Sequence, residues 1–508
     1  MIRRAAFLLC LLLAVPAAAL AVDHADGLNL QTREVAAQGG VGGYGYRTTS
    51  NNLVNITFTN YGSWGLGYTS ATTPNFSFPA GANFEHMVRG GLWIGGRVLC
   101  DSGCVDQIAV SFGSEDQNGS VGTPVTEFTP LPNTPATRLV ELSSLANSIV
   151  YSPLAVSEQD LIAHFRDNPG TQVGSEPHVP LNVDVTEAIY SWSFSFAENF
   201  VIQHFTIRNV GELLRNVFIT HYTEMQSLNK ADYPLWPSFP SGAAPYAHKY
   251  YQYVPALRLL SEHYCNSVQS GCNFDRVPAV VGTMLLGTYP DSLGMRFGGA
   301  DSSKVLTARF LTHGYSGSLG IGDTTYGRFT DPQKYSFMQH PTEIADQSQD
   351  PNDPSQWITV GPIPTMQSGD SISVDFAFLG GASADPAEAE ALVEKAAQHA
   401  LLAFNLSYKL PTPPPSPRLY ARPGDHTLEL LWEGSPDTTY DPTSPTGQER
   451  DFEGYRIYFG ESANNMQLIA QFDRKDTTSF NTGLDSLRMP LDPPVVFNHT
   501  VHTPRGDS

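Results

Sequence analysis

From Asn52 onward, apolar residues tend to fall at every second position. In LVNITFTNYG, Val54, Ile56 and Phe58 alternate with polar neighbours, the period of a strand with one buried face. GGLWIGGRVL, then CDSGC, then VDQIAVSFG predicts a hairpin with a cysteine-bearing tip. The strongest block runs from Val183 to Met225, where VDVTEAIYSWSF, NFVIQHFTIRNVG and RNVFITHYTEM read as three strands joined by short turns. Further strands are expected at 280–289, 305–314 and 371–381. Helical spacing stands out once: Leu392, Val393, Ala396, Ala397, Ala400 and Phe404 recur on one face. Asp385 as N-cap, Pro386 at the first helical position and Glu388 closing a capping box mark its start. A helix over 385–407, packing alanine onto a sheet, is the expectation.

Composition supports this β-rich reading. Of 508 residues, 44 are Gly and 38 Pro, with 11% aromatic and only 16% charged side chains, which suits short strands and turns better than a helical bundle. The fold class expected is mainly β: a large β-sandwich region of one or two units with one packing helix, followed by a smaller β module. The 29 Lys+Arg against 50 Asp+Glu give a formal charge of −21. That balance excludes sequence-independent nucleic-acid binding and a polybasic membrane patch.

Residues 1–21 read as a signal peptide: Arg3 and Arg4, an apolar stretch, then Ala19-Leu20-Ala21 as a cleavage signal. Its removal would leave 27 − 50 = −23. No later stretch is a transmembrane span by length, so export to the exterior or outer cell surface is expected. Export leaves Cys100, Cys104, Cys265 and Cys272. Of three connectivities, local pairing within C-x3-C and C-x6-C is preferred, because each pair brackets Gly and Ser turn residues. Residues 22–45 form a lead-in without periodicity, 46–410 the large sandwich region, PTPPPSP at 411–417 a semi-rigid linker, and 418–508 a separate module.

In that module, Trp432 at the end of HTLELLW and the run Tyr455-Arg456-Ile457-Tyr458 resemble a fibronectin type III domain, in which such side chains fill the core between two sheets. Only TTSFNTGL and VVFNHTVHT remain as later strands, so the module reads as truncated. Together with GGLWIGGRV, SFAENFVIQHFTIRNVG and SGDSISVDFAFLGG, the chain resembles exported bacterial surface proteins that carry such modules. The resemblance implies location and architecture and carries no catalytic residue.

The search for chemistry is sparse. Nucleophile-elbow, phosphate-loop and H-E-x-x-H patterns are missing from the sequence. Ser227-Leu228-Asn229-Lys230 matches S-x-x-K, in which a lysine could activate a serine. If the second and third strands of the central block pair, His204, His221 and Glu224 approach as zinc-type ligands. Asp346, Asp350 and Asp353 in ADQSQDPNDP form a candidate calcium loop, with Asp437 and Asp441 a second; calcium favours such clustered oxygen donors. Glu187 and Glu198 flank IYSWSFSF and are the first pair to weigh as glycosidase carboxylates. There Tyr190, Trp192, Phe194 and Phe196 alternate onto one face. The sequence therefore points to a secreted, non-catalytic sandwich for adhesion, surface structure or ligand display, needing no cofactor, with an extracellular protein or polysaccharide as partner. Its rivals are a carbohydrate-active hydrolase and a calcium-dependent carbohydrate-binding protein. Exposed tryptophans beside clustered carboxylates would favour the hydrolase, and burial of Trp93, Trp192, Trp236 and Trp357 the structural reading.

Overall fold

In the computed structural model the described residues are 45–65, 73–99, 106–114, 126–131, 139–167, 178–231, 248–264, 277–289, 306–312, 330–339, 354–410, 417–425, 427–438, 452, 454–462, 465–473 and 496–501. The chain divides into two compact units, 1–407 and 408–508. In chain order the first unit holds β1 (Tyr46–Thr48), β2 (Asn55–Thr59), β3 (Ser63–Trp64), β4 (Phe76–Ser77), β5 (Phe84–Val98) and β6 (Gln107–Phe112). Next come β7 (Phe128–Pro130), β8 (Val140–Leu142), β9 (Gln159–Asp167), β10 (Val183–Ser191), β11 (Phe200–Asn209) and β12 (Leu214–Asn229). They are followed by β13 (Lys249–Val254), β14 (Leu259–Tyr264), β15 (Ala279–Tyr289), β16 (Leu306–Thr312), α1 (Asp331–Gln339), β17 (Pro354–Met366), β18 (Ser371–Ala382) and α2 (Pro386–Asn405).

These strands make two antiparallel nine-stranded sheets. The first runs β1-β2-β3-β5-β12-β17-β16 with β4 and β6 alongside; the second runs β13-β14-β15-β18-β11-β10-β9-β7 with β8 alongside. Alternation decides what meets between them. Ile56 and Phe58 of β2, Leu92 and Ile94 of β5, Ile219 of β12, Phe205 of β11 and Phe376 and Phe378 of β18 join one buried core, as period-2 patterning requires. Close packing leaves no room for a methyl at Gly90, where a Cβ would stand 1.8 Å from the Trp64 indole nitrogen.

The helix read from 385–407 is α2. Asp385 Oδ1 accepts the Ala387 amide at 2.9 Å, and Ser383 Oγ donates to the Glu388 carboxylate at 2.6 Å. Glu388 thus closes the cap through Ser383, which in turn accepts the Asp385 amide. Ala389, Val393, Ala396, Ala397, Ala400 and Ala403 are its buried side. The helix α1 carries almost no apolar periodicity and was not legible in the sequence. It lies over the outer face of the first sheet, where Tyr335, Phe337 and Met338 join Trp93, Val110, Phe112, Phe218, Tyr222 and Trp357.

The second unit contains β19 (Leu419–Gly424), β20 (Thr427–Glu433), β21 (Gly454–Ser462), β22 (Asn465–Asp473) and β23 (Val496–Val501). β19-β20-β23 and β21-β22 form its two described sheets. Trp432, Phe452, Tyr455 and Phe472 share one small core.

Candidate functional site

The sequence brings His204, His221 and Glu224 near one another; the fold sends them to three surfaces. β11 and β12 are consecutive but do not pair: β11 lies between β10 and β18 in the second sheet, while β12 lies between β5 and β17 in the first. His221 points into the sandwich, where its ring stacks on Trp64 at 4.5 Å. Its Nε2 donates to Gln203 Oε1 at 2.9 Å, and Gln203 Nε2 donates to Glu187 Oε1 at 2.6 Å. Burial drives His221 down to about 3 and Glu187 up to about 8, so both members of this cross-sheet chain are neutral near pH 7. Glu224 faces the other way and contacts Arg89 at 3.3 Å. A zinc site from these three residues is therefore overturned, and among the described residues no group of three or more His, Cys, Asp or Glu side chains is arranged so as to hold a metal ion.

His204 is on the outer face of the second sheet, where its Nδ1 meets Asp375 Oδ1 at 2.8 Å and its Nε2 lies 3.2 Å from Thr206 Oγ1. Thr206 in turn contacts Ser373 Oγ at 3.0 Å. The order along this contact chain is carboxylate, imidazole, hydroxyl. Burial alone would lower His204; the Asp375 charge and hydrogen bond raise it.

The paired carboxylates also separate. Glu187 is inside the sandwich, whereas Glu198 lies in the turn before β11, its backbone carbonyl accepting the Leu53 amide at 2.9 Å. The aromatic row IYSWSFSF is not one strand: β10 ends at Ser191, and Phe196 lies in the following turn, stacked on His399 of α2 at 4.3 Å. Trp93, Trp192 and Trp357 are all buried. Trp236, Asp441, the four cysteines Cys100, Cys104, Cys265 and Cys272, and the calcium candidates Asp346, Asp350 and Asp353 lie outside the described residues.

Ser227 has different partners from those its S-x-x-K motif predicts. Lys230 Nζ reaches Glu85 Oε1 at 2.9 Å. Ser227 Oγ instead sits 2.7 Å from His86 Nδ1 and 2.6 Å from Glu262 Oε2, and its amide donates to Glu262 Oε1 at 3.0 Å. His86 Nε2 is 2.8 Å from the Phe78 carbonyl. All three side chains are buried. In a hydrolase the carboxylate orients the imidazole; here it binds the serine, and the far imidazole nitrogen is held by a backbone carbonyl. The order of contacts is therefore not that of an acyl-transfer triad.

A second buried histidine joins two carboxylates. His178 Nε2 meets Asp167 Oδ1 at 2.7 Å and its Nδ1 lies 3.2 Å from Glu127 Oε1. Asp167 Oδ2 also accepts from Ser111 Oγ at 2.7 Å and from the Leu181 amide at 2.6 Å. Burial works to lower His178, but the two carboxylates overcome it and hold the ring at about 10.

The outward-facing feature that sequence reading missed is the loop between β8 and β9. Leu145, Ile149, Tyr151 and Leu154 are 44%, 78%, 51% and 44% exposed. Its backbone is nevertheless tied down. Ser143, Ser148 and Ser152 each accept, through Oγ, the amide two residues on, at 3.2, 3.3 and 3.2 Å. At the loop base, buried Asp160 accepts the Val156 and Ser157 amides at 2.7 and 2.8 Å. The readable signal was Ser-x-apolar repeated three times in SSLANSIVYSPL, a serine-turn pattern.

No protein-family model and no curated protein matches this chain. Among solved structures, a provisionally assigned aldose 1-epimerase from Escherichia coli K12 aligns with 67% of this chain and 100% of its own, at 9% identity and a TM-score of 0.27. A polysaccharide lyase aligns with 77% of this chain and 37% of its own, at 8% identity and a TM-score of 0.24. Similarity at that level transfers neither topology nor activity.

Proposed function

We propose that this chain is an exported, non-catalytic β-sandwich that binds an extracellular protein through the loop 143–156. The carrying observation is that loop: four large apolar side chains face solvent on a backbone fixed by its own serines and by Asp160. Exposed apolar groups held rigid lose little conformational entropy on binding, which favours a contact surface. Leucine and isoleucine fit an apolar protein patch; a sugar platform would call for a row of exposed aromatic rings, and Tyr151 is the aromatic residue of this loop. Among the described residues, Ser227 Oγ beside His86 and Glu262 gives the same direction, since it is enclosed by its partners.

The test is binding of labelled protein to intact producing cells. Ile149→Ser with Tyr151→Ser should weaken binding by about 10-fold or more, the scale of losing two anchor residues, without moving Tm. Protease treatment of the cells should abolish binding. Equal binding by the double variant would overturn the loop assignment, and binding that survives protease would replace the protein partner with a polysaccharide.

A further inference from the structure

The contacts around Ser227 impose a proton count. A backbone carbonyl only accepts, so His86 Nε2 carries a proton and donates to Phe78 at 2.8 Å. Ser227 has one hydroxyl proton, yet its Oγ is in hydrogen-bond contact with both His86 Nδ1 and Glu262 Oε2. With neutral His86 and ionised Glu262, both neighbours are acceptors and one of the two contacts sets lone pair against lone pair. Both close only when the cluster holds one more proton. Either protonated Glu262 donates to Ser227 and Ser227 donates to His86, or Ser227 donates to Glu262 and a doubly protonated His86 donates to Ser227. These forms differ by proton shifts along the chain and have the same total charge.

The location gives the count a consequence. Ser227 is on β12 of the first sheet and Glu262 on β14 of the second, and a further link, the Tyr251 hydroxyl donating to the Met225 carbonyl at 2.9 Å, lies beside them. We propose that Glu262, Ser227 and His86 form a proton-dependent clasp between the two sheets. It is closed while the cluster keeps its extra proton, and it loosens the β13–β14 edge when that proton leaves.

The surroundings favour Glu262 as the carrier. Burial pushes its carboxyl up to about 7, against the lowering effects of the Ser227 bonds and the Lys249 charge. Burial also takes His86 down to about 4, with Lys230 adding to that direction and the Phe78 bond opposing it. The other charged groups at this corner are engaged. Glu85 is held by Lys230, the Asn75 and Phe76 amides and Ser77 Oγ. Lys249 lies over the Tyr251 ring, and His263 stacks on Tyr250 at 5.5 Å. Because the folded value of Glu262 lies above its unfolded one, the clasp's contribution is complete below about pH 4.5 and is lost as pH rises through about 7.

Hydrogen exchange, corrected for intrinsic rate, reads the clasp in 225–229 and 249–264. Between pH 5.5 and 8.5, wild-type protection should fall by about 10-fold or more. Glu262→Gln keeps the geometry, its amide donating to Ser227 Oγ and its carbonyl accepting the Ser227 amide, and should show no such step. A carboxylic C=O infrared band that titrates with the wild-type step should be missing from Glu262→Gln. If that variant does not fold, Ser227→Ala serves: it removes the hydroxyl that joins Glu262 to His86 and should abolish the step or reduce it to a small remainder. A step unchanged in either variant, or an infrared spectrum unchanged by Glu262→Gln, overturns the proposal.

Discussion

His178 and His86 are the same residue type in comparably dry surroundings, and they end with opposite charge. His178 touches two carboxylates and is held protonated at about 10. His86 touches a serine hydroxyl and a backbone carbonyl and falls to about 4. Desolvation disfavours the imidazolium at both positions; only at His178 does local negative charge exceed that cost. Burial therefore does not predict charge until the partners are known.

Removing either histidine separates the two cases. His178→Ala should have the largest effect, about 3–5 kcal/mol of unfolding free energy, because Glu127 and Asp167 stay buried without their cation. His86→Ala should cost less, about 1–3 kcal/mol for unsatisfied neutral partners. Denaturant titration of both variants measures the gap, and equal losses would remove the distinction.

Their pH dependences should have opposite sign. His178, raised in the fold, contributes stability that is complete below about pH 6.5 and lost as pH climbs toward 10. His86 and His221, lowered in the fold, contribute stability that is present above about pH 6.5 and lost as pH falls through about 4 and 3. Thermal melts from pH 4 to 10 should therefore lose an alkaline arm in His178→Gln and part of an acid arm in His86→Ala.

Two smaller changes mark the baseline. Asp385→Ala removes an N-cap and should cost about 1 kcal/mol by the same titration. Ile149→Ser should leave stability within about 0.5 kcal/mol, since the side chain is already in water; a larger loss would mean that the exposed loop is part of the fold's support.

Much of the scaffold was legible in local pattern. β10, β11, β15, β18 and α2 fall where alternation and capping place them, and the β5–β6 hairpin pairs as GGLWIGGRVL and VDQIAVSFG predict. The candidate sites were not. S-x-x-K puts Lys230 beside Ser227, but Lys230 pairs with Glu85, and the side-chain partners of Ser227 come from 141 residues upstream and 35 residues downstream. The His204, His221 and Glu224 reading failed because adjacent strands entered different sheets.

The sequence by itself determined which segments become strands, which face of each is apolar and where α2 begins, because those depend on spacing and on neighbours a few residues away. Only the tertiary structure decided which strands share a sheet, and with that the direction in which burial and partners push His178, His86 and His221 and the set of groups that meet at Ser227. Those properties follow from distances between groups remote in the chain, and electrostatics in a dry interior is set by such distances rather than by sequence order.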